Sequence, residues 1–271
     1  EKEMYTFEDR GGDLVTLRPE GTAPVCRAYL EHGMQNLAQP VRLYYFCPVF
    51  RYDRPQAGRY RQHHQFGVEI IGDPSPQVDA EIIELGWTYL SSLGLQGVTL
   101  KINSIGDSEC RPAYMELLGS HLAERESRIC NDHRKRYKTN PLRVLDCKKP
   151  TCQSLSAEAP SSVDHLCEVC AEHFAGLCAN LDDLVEAGAM VPYTVDNRLV
   201  RGLDYYNRTV FEFEPTEEKS TSTLLGGGRY DPLIEILGGK PTPGIGFGSG
   251  VERVMLNLKA QGIEVPSTRP L

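Results

Sequence analysis

The chain has 271 residues, of which 40% are hydrophobic and 24% are charged, a composition typical of a folded globular protein. No apolar run approaches the ~18 residues that a membrane-spanning helix needs, and the charged N-terminus has no apolar signal core, so we expect a cytoplasmic protein. The net charge of −8 argues against a general nucleic-acid coat. Basic residues nevertheless concentrate in residues 42–61 and 124–149, which favours a small anionic ligand or a confined RNA contact.

The first part of the chain predicts two helices and a hairpin. We predict a strand over residues 14–19 and a helix over residues 23–35. Two further strands are predicted over residues 41–50 and 63–71, joined by a loop over residues 51–62. Ser75 and Pro76 then predict the start of the second helix, with Ser75 as its N-cap. The residues expected to form the buried stripe of this helix are Val78, Ile82, Leu85, Tyr89 and Leu93.

After a short strand over residues 98–103, the sequence changes character. Residues 108–188 have helical patterns, many charges and most of the cysteines, which predicts an inserted and separately packed helical module. Strand patterns resume at residues 191–195, 205–213, 222–225 and 244–248. The three glycines 226–228 predict a tight turn, Pro232 starts a short helix, and Ser249 with Glu252 predicts a helix-capping box. Clustered strands without regular strand–helix alternation predict an α+β fold built on an antiparallel sheet.

Three arginines occupy positions where an anion could be held. Arg51 opens the hairpin loop, Arg201 precedes a strand beside a glycine, and Arg253 lies in the first turn of a predicted helix. A basic side chain there opposes the helix dipole, so Arg253 and the helix N-terminus could together hold an anionic ligand. For any one of these arginines taken alone, a solvated or ion-paired structural role is favoured.

Two carboxylates and a glycine-rich segment complete the candidate chemistry. Glu20 follows a strand end, and Glu69 lies within an apolar strand, where a buried carboxylate needs a cationic or hydrogen-bonding partner. A structural ion pair remains an equal alternative for Glu69. The glycines of residues 244–250 do not fit a dinucleotide-binding motif, and the sequence has no P-loop, so a close-packed turn from strand to helix is the simplest interpretation.

Nine cysteines in a chain without an export signal are interpreted as reduced thiols. Four of them have paired spacings that a four-thiolate Zn²⁺ site could use: Cys147, Cys152, Cys167 and Cys170. The first pair is separated by four residues instead of two, and we favour ordinary thiols in a helical insert. No other metal ligands are assigned.

Four segments, in order along the chain, resemble the signatures of histidyl-tRNA synthetases, which are class II aminoacyl-tRNA synthetases. Residues 50–62 resemble class II motif 2, and residues 244–253 resemble motif 3. Residues 17–22 and 201–206 resemble the two histidine signatures of the family. The resemblance implies a six-stranded antiparallel sheet flanked by helices, with a helical insertion domain and a homodimeric full-length protein.

The resemblance also implies a two-step reaction. L-histidine and ATP, accompanied by Mg²⁺, form histidyl-adenylate and pyrophosphate, and the histidyl group then moves to the 3′ end of the histidine tRNA. The implied catalytic arginines are Arg51, Arg201 and Arg253, and the implied ATP-binding residues are Arg51, Asp53, Arg59 and Arg253. The implied histidine-binding positions are Glu20, Gly21, Thr22, Arg51, Gln65, Glu69, Arg201, Tyr205 and Tyr206. Among these, Glu69 and Tyr206 could bind the two imidazole nitrogens.

Compared with the family pattern, motif 1 and the anticodon-binding domain are missing, so we expect a catalytic-domain fragment. We divide it into a first catalytic part at residues 1–107 and a helical insertion at residues 108–190. A second catalytic part at residues 191–262 and a linker at residues 263–271 follow. Asp53 stands where motif 2 usually has glutamate. Two alternatives are an inactive paralogue that regulates histidine biosynthesis and a synthetase-like sensor of uncharged tRNA; the retained arginines and tyrosines argue against both.

The insertion carries the second basic patch. Its densest part is the run of residues 134–138, which we expect to lie against the tRNA acceptor arm. A solvated helical face is an equal alternative for such a run of charges.

Overall fold

The computed structural model describes residues 4–53, 58–216 and 223–264. Within them lie nine strands: β1 Thr6–Glu8, β2 Leu14–Thr16, β3 Val41–Phe50, β4 Gln62–Ile71, β5 Val98–Ser104, β6 Tyr193–Val195, β7 Asn207–Pro215, β8 Leu225–Arg229 and β9 Gly244–Gly250. The same residues form nine α-helices: α1 Thr22–Glu31, α2 Pro76–Ser92, α3 Arg111–Ala123, α4 Asn131–Arg134, α5 Leu142–Leu145, α6 Pro150–Ala157, α7 Glu168–Glu186, α8 Leu233–Ile236 and α9 Val251–Ala260. The predicted linker, residues 263–271, lies mostly outside the described residues.

Seven strands form one sheet in the order β3-β4-β9-β8-β7-β5-β6. Neighbouring strands are antiparallel from β3 through to β5, which confirms the predicted α+β class and the six antiparallel strands implied by the resemblance. Strand β6 adds a seventh strand, which pairs in parallel with β5 at the edge of the sheet. The remaining strands, β1 and β2, form a separate two-stranded hairpin.

The glycines of residues 226–228 lie in the centre of the sheet, so the predicted tight turn is wrong. They belong to β8, whose five residues are all buried between β7 and β9. A Cβ on Gly227 would lie 2.1 Å from the Gly246 carbonyl oxygen, and a Cβ on Gly228 would lie 2.5 Å from the Thr209 carbonyl oxygen. Close backbone packing, and not turn formation, therefore requires glycine in this strand.

One of two predicted helix starts has the expected position, and neither has the expected capping contact. Ser75 precedes α2 in an extended conformation, but its side chain makes no capping hydrogen bond, and its N–H instead donates to Asp73 Oδ1 at 2.8 Å. Helix α9 begins at Val251, so the predicted capping box is wrong: the Ser249 hydroxyl donates to the Leu224 carbonyl oxygen at 2.9 Å. The Glu252 carboxylate accepts from the His64 N–H at 2.9 Å, which ties α9 to β4.

The buried face of α2 differs from the predicted stripe. Val78 and Ile82 are buried as expected, whereas Leu85 and Leu93 are exposed. The helix instead buries a face that includes Ile83, Gly86 and Leu90. The difference arises because α7 also packs against α2, which rotates the contact surface away from a single sheet-facing stripe.

The helical character of the insertion is confirmed by α3 to α7, but the segment is not packed by itself. Helix α7 lies along α2, and Leu177 and Leu181 of α7 share a core with residues of the sheet. The fully buried Asp79 of α2 accepts from His173 of α7 at 2.8 Å and from the Thr209 hydroxyl at 2.5 Å. Its other oxygen accepts from Arg229 Nε at 2.8 Å. This buried network joins the insertion to the sheet.

The described helices cover both faces of the sheet. One core cluster brings α2, α7 and α9 against Ile70, Phe211 and Phe247. A second cluster unites α1 and α3 with the short helices of the insertion and with Tyr230. Within the described ranges, no helix is long and apolar enough to cross a membrane.

Candidate active site

A cavity of about 310 Å³ opens above three neighbouring strands of the sheet. Its floor is formed where Gly248 of β9 pairs with Gly226 of β8, which in turn pairs with Glu212 of β7. Because the two glycines have no side chains, they leave room for a ligand directly above the backbone. The walls come from the start of α1, the loop after β3, residues 201–206 and the insertion.

Three of the predicted arginines meet at one side of the cavity. Arg51 follows β3, and its Nε donates to the Pro19 carbonyl oxygen at 2.7 Å. Arg253 in the first turn of α9 donates from Nε to the Gly58 carbonyl oxygen at 2.8 Å. Burial, reinforced by the nearby charges of Arg59 and Arg51, lowers the pKa of the Arg253 guanidinium. Mutual repulsion of this kind indicates a site that favours an anion.

Arg201 lies over the glycine floor, beside Glu212 of β7. Its Nη1 forms an ion pair with Glu212 Oε1, and its guanidinium carbon lies 5.6 Å from the centre of the Tyr206 ring. A Cβ on Gly226 would lie 2.6 Å from this Nη1, so glycine is needed for the arginine to lie here. The Nε of Arg201 is buried without a hydrogen-bond partner in the described part of the chain, which leaves a donor for a ligand.

Three carboxylates at the cavity are paired within the protein. Asp53 Oδ2 lies 3.5 Å from Arg59 Nη1. Glu212 also accepts from the Thr223 hydroxyl at 2.9 Å, and Glu214 accepts from Lys101 Nζ at 2.7 Å. These contacts compensate the negative charges of the walls, so the cavity retains guanidinium groups able to bind phosphate.

The first histidine signature forms the turn into α1. The Glu20 carboxylate accepts from the backbone N–H of Thr22 at 2.6 Å and of Ala23 at 2.9 Å, which caps the helix. The Gly21 N–H donates to Gln65 Oε1 at 3.0 Å, and a Cβ on Gly21 would overlap the Tyr45 ring. Glu20, Thr22 and Gln65 line the cavity.

Glu69 differs from its predicted position in the pocket. It is fully buried and is not part of the cavity wall. Its oxygens accept from the Thr22 hydroxyl at 2.7 Å and the Tyr230 hydroxyl at 2.6 Å. Burial raises the pKa of its carboxyl to about 8, although the two hydroxyl donors oppose the shift. Glu69 therefore lies behind the cavity wall and binds the hydroxyl of Thr22, which lines the cavity, whereas Glu20 lines the cavity itself.

The two tyrosines of the second histidine signature lie side by side. Their ring centres are 4.8 Å apart, and both residues line the cavity. The Tyr205 hydroxyl donates to Glu20 Oε2 at 3.4 Å. The pair therefore connects the residues around Arg201 with the turn into α1.

Several residues around the site were not predicted. Asp146 and Lys148 bring the insertion to the cavity wall, and Glu212, His63 and Glu214 contribute from the strands. The polar pattern of β7 gave a signal, because Glu212 and Glu214 alternate with buried Phe211 and Phe213. Nothing in the sequence alone placed Asp146 and Lys148 here, because they are distant along the chain.

The four grouped cysteines lie in two separate clusters, so they do not form the four-thiolate site considered from their spacing. Cys147 and Cys152 lie with Cys130 and His133, whereas Cys167 and Cys170 lie with Asp107 and Cys110. All nine cysteines are free thiols.

Comparison with known proteins assigns the family. A family model described as histidyl-tRNA synthetase matches residues 1–254. The chain is 56% identical over 267 residues to a histidine–tRNA ligase of Dehalococcoides mccartyi, and 53% identical over 262 residues to one of Desulfitobacterium hafniense. These alignments cover 98% and 96% of the chain, which spans 62% and 61% of the two relatives.

Solved structures show the same fold. An apo histidyl-tRNA synthetase of S. aureus superposes with a TM-score of 0.75 at 43% identity, covering 97% of this chain and 62% of that one. A Bacillus halodurans protein described as an ATP phosphoribosyltransferase regulatory subunit/histidyl-tRNA synthetase superposes with a TM-score of 0.67 at 23% identity, covering 95% and 68%. The antiparallel sheet flanked by helices is the fold of class II aminoacyl-tRNA synthetases. Within that class, the chain belongs to the histidyl-tRNA synthetase family.

Proposed function

We propose that this chain is the catalytic part of a histidine–tRNA ligase, which activates L-histidine with ATP and transfers it to the 3′ end of its tRNA. The observation that carries the proposal is the cavity in which Arg51, Arg201 and Arg253 converge over a floor of glycines. The family membership supplies the substrates, and the cavity supplies groups suited to them.

The first step is an in-line attack of the histidine carboxylate on the α-phosphorus of ATP. Both reactants are anions, so fixed cations that hold them together are suitable catalysts. We assign the histidine carboxylate and α-phosphate to Arg51 and Arg201, which both line the cavity. Arg253 and Arg59 would hold the outer phosphates, and Asp53 would keep Arg59 in position.

Mg²⁺ would enter as part of the ATP substrate. Hard cations such as Mg²⁺ bind carboxylate oxygens, and Glu212 and Glu214 provide such oxygens at the cavity wall. Both are already paired with basic side chains, so a metal bound to ATP would share them.

Histidine recognition is assigned to the residues that reach the cavity. Glu20, Thr22, Gln65, Tyr205 and Tyr206 supply carboxylate, hydroxyl and amide groups around one end of it. These groups suit both an α-amine and the two nitrogens of an imidazole, and a wrong amino acid would leave some of them buried and unpaired. Gly21 allows close packing with Tyr45, and Glu69 holds Thr22 in place.

The partners follow from the same proposal. The basic segment 134–138 exposes Arg134, Lys135, Arg136 and Lys138, while Tyr137 is buried in the core, so its charges are available to the tRNA acceptor arm. Edge strand β3 exposes Tyr44 and Phe46, which supports a homodimer contact. Nine free thiols suit the reducing cytoplasm, where charged tRNA is used.

A regulatory paralogue remains the alternative with a structural counterpart. The Bacillus halodurans protein named partly as a regulatory subunit shares the fold at 23% identity, whereas the relatives named as ligases share 53–56% identity. The higher identity, together with the complete set of arginines, favours the ligase.

The test is aminoacylation by the purified protein, with labelled histidine, ATP and histidine tRNA. We expect label to accumulate on this tRNA only when ATP is present, and not on a tRNA for another amino acid. A protein that binds histidine but leaves the tRNA uncharged would contradict the proposal and favour a regulatory role.

A further inference from the structure

The insertion contains a cluster of soft metal ligands that the proposed reaction does not use. Cys130 and His133 are separated by two residues around the start of α4, and Cys147 and Cys152 flank the start of α6. The three sulfur atoms and one imidazole nitrogen all lie within 4.8 Å of one another. Three thiols and one imidazole form a ligand set typical of structural Zn²⁺.

The sulfur–sulfur distance in this cluster agrees with tetrahedral coordination, whereas the sulfur–nitrogen distance is about 0.5 Å shorter than zinc coordination would give. Zinc–sulfur bonds of ~2.3 Å place two sulfurs about 3.8 Å apart and a sulfur and a nitrogen about 3.6 Å apart. Cys130 Sγ lies 3.8 Å from Cys147 Sγ and 3.1 Å from His133 Nδ1. The Cys130 backbone N–H also donates to Cys152 Sγ at 3.3 Å, which brings the third sulfur into the cluster. From this geometry we propose that Cys130, His133, Cys147 and Cys152 bind one structural Zn²⁺ ion.

The local structure gives such an ion a role. Helices α4 and α5 have four residues each, which is too short for a helix to be stable without tertiary contacts. A bound metal would join the ends of these helices to α6, where Cys152 is fully buried. Zn²⁺ with three thiolates carries a net charge of about −1, and Lys149, which also pairs with Asp132 at 2.6 Å, lies close by in the chain to offset it.

The proposed ligands adjoin two other features along the chain. Asp146 and Lys148, the neighbours of Cys147, line the cavity. The basic segment 134–138 begins directly after His133. A metal at this position would therefore fix both the insertion's wall of the cavity and the base of the basic segment.

The second cluster of the insertion is less suited to the same metal. Its carboxylate, Asp107, is paired with Arg208 at 3.3 Å and also accepts from the Glu109 N–H at 3.0 Å. These contacts already neutralise the acid, so we assign no metal here. The cluster provides a matched control, because Cys167 and Cys170 have similar chemistry in the same insertion.

The first experiment measures the zinc content of the protein purified without chelators. We expect about one equivalent per chain, and replacement by Co²⁺ should give the intense visible bands of tetrahedral thiolate coordination. Less than about 0.1 equivalent after equilibration with Zn²⁺ and gel filtration would overturn the proposal. Neither measurement depends on enzymatic activity, so failure here leaves the proposed ligase function untouched.

The second experiment locates the metal. The C130S/C147S double variant should lose the zinc, whereas the C167S/C170S double variant should keep it. His133→Cys retains four soft ligands and should hold zinc, whereas His133→Ala should release it readily to a chelator. This comparison remains informative if the double variant folds poorly. Zinc retained by C130S/C147S, or lost only from C167S/C170S, would overturn the assignment.

Discussion

Arg201 is the residue whose removal should separate chemistry from binding most clearly. Its guanidinium lies over the glycine floor, with one nitrogen paired to Glu212 and a second, Nε, buried and without a partner within the described ranges. Negative charge moves toward the bridging oxygen as pyrophosphate leaves, so a fixed cation at this place stabilises the transition state more than the bound substrates. Removing one such preorganised donor typically costs about 2.7–4 kcal/mol, or ~10²–10³ in rate.

We therefore expect Arg201→Ala to slow histidine-dependent ATP–pyrophosphate exchange by at least ~10²-fold, with a smaller change in histidine affinity. Arg201→Lys should restore little of the rate, because an ammonium cannot reproduce the planar guanidinium, which pairs with Glu212 through Nη1 and keeps Nε for a ligand. Arg198→Ala, which removes an exposed arginine paired with Asp196, is the matched control and should leave exchange unchanged.

The substitution also has a structural cost that must be separated from catalysis. Without Arg201, the Glu212 carboxylate keeps the Thr223 hydroxyl but loses its cation, which should destabilise the fold by about 1–3 kcal/mol. Adding Glu212→Gln should recover much of that stability without recovering exchange. Near wild-type exchange by a folded Arg201→Ala protein would refute the role assigned to this arginine.

Three further predictions follow from the contacts of single residues. Tyr206→Phe loses a hydroxyl at the cavity wall and should raise the KM for histidine more than it lowers kcat; a fall in kcat alone would contradict histidine recognition by Tyr206. Arg134→Glu combined with Arg136→Glu should weaken tRNA binding and flatten its salt dependence, while Arg198→Glu should not; unchanged tRNA affinity at low salt would contradict the docking surface. Glu69 has a pKa of about 8 in the folded protein, against an ordinary value of 4.5. Between these pH values the folded state holds a proton that the unfolded state releases. The free energy of unfolding should therefore fall as pH rises through this range, by up to ~1.4 kcal/mol per pH unit. Glu69→Gln should remove this decline in denaturant titrations at pH 5 to 8, and an identical slope in both proteins would contradict the assignment.

The sequence predicted the strand-rich α+β fold because alternation and turn residues report local structure well. It failed where tertiary contacts determine the role of a residue. The glycines of residues 226–228 are turn formers by local preference, yet they lie in β8 because the backbone of β9 and the ring of Phe211 occupy the space of a side chain. Ser249 has the sequence pattern of a helix cap, but its hydroxyl donates instead to the carbonyl oxygen of Leu224, just before β8.

Site residues, too, could be predicted where the signal is local and could not be predicted where it depends on tertiary contacts. The arginines could be found because their segments carry local signatures, and Glu20 lies at the cavity as expected. Glu69 does not line the cavity, because its position on β4 directs its carboxylate toward the Tyr230 hydroxyl in the core. The cysteines were grouped by spacing along the chain, whereas folding brings Cys130 and His133 to one pair and Asp107 and Cys110 to the other. Contacts between residues so far apart in sequence leave no periodic pattern from which they could be predicted.

The most direct test of the account is exchange of labelled pyrophosphate into ATP by the purified protein, measured with histidine and with each other amino acid in turn. Convergence of Arg51, Arg201 and Arg253 on one cavity predicts rapid exchange, and the polar groups assigned to histidine recognition predict that it occurs with histidine and only at background with the rest. Absence of exchange with histidine, or equal exchange with another amino acid, would contradict the claim that this cavity is a histidine-activating site.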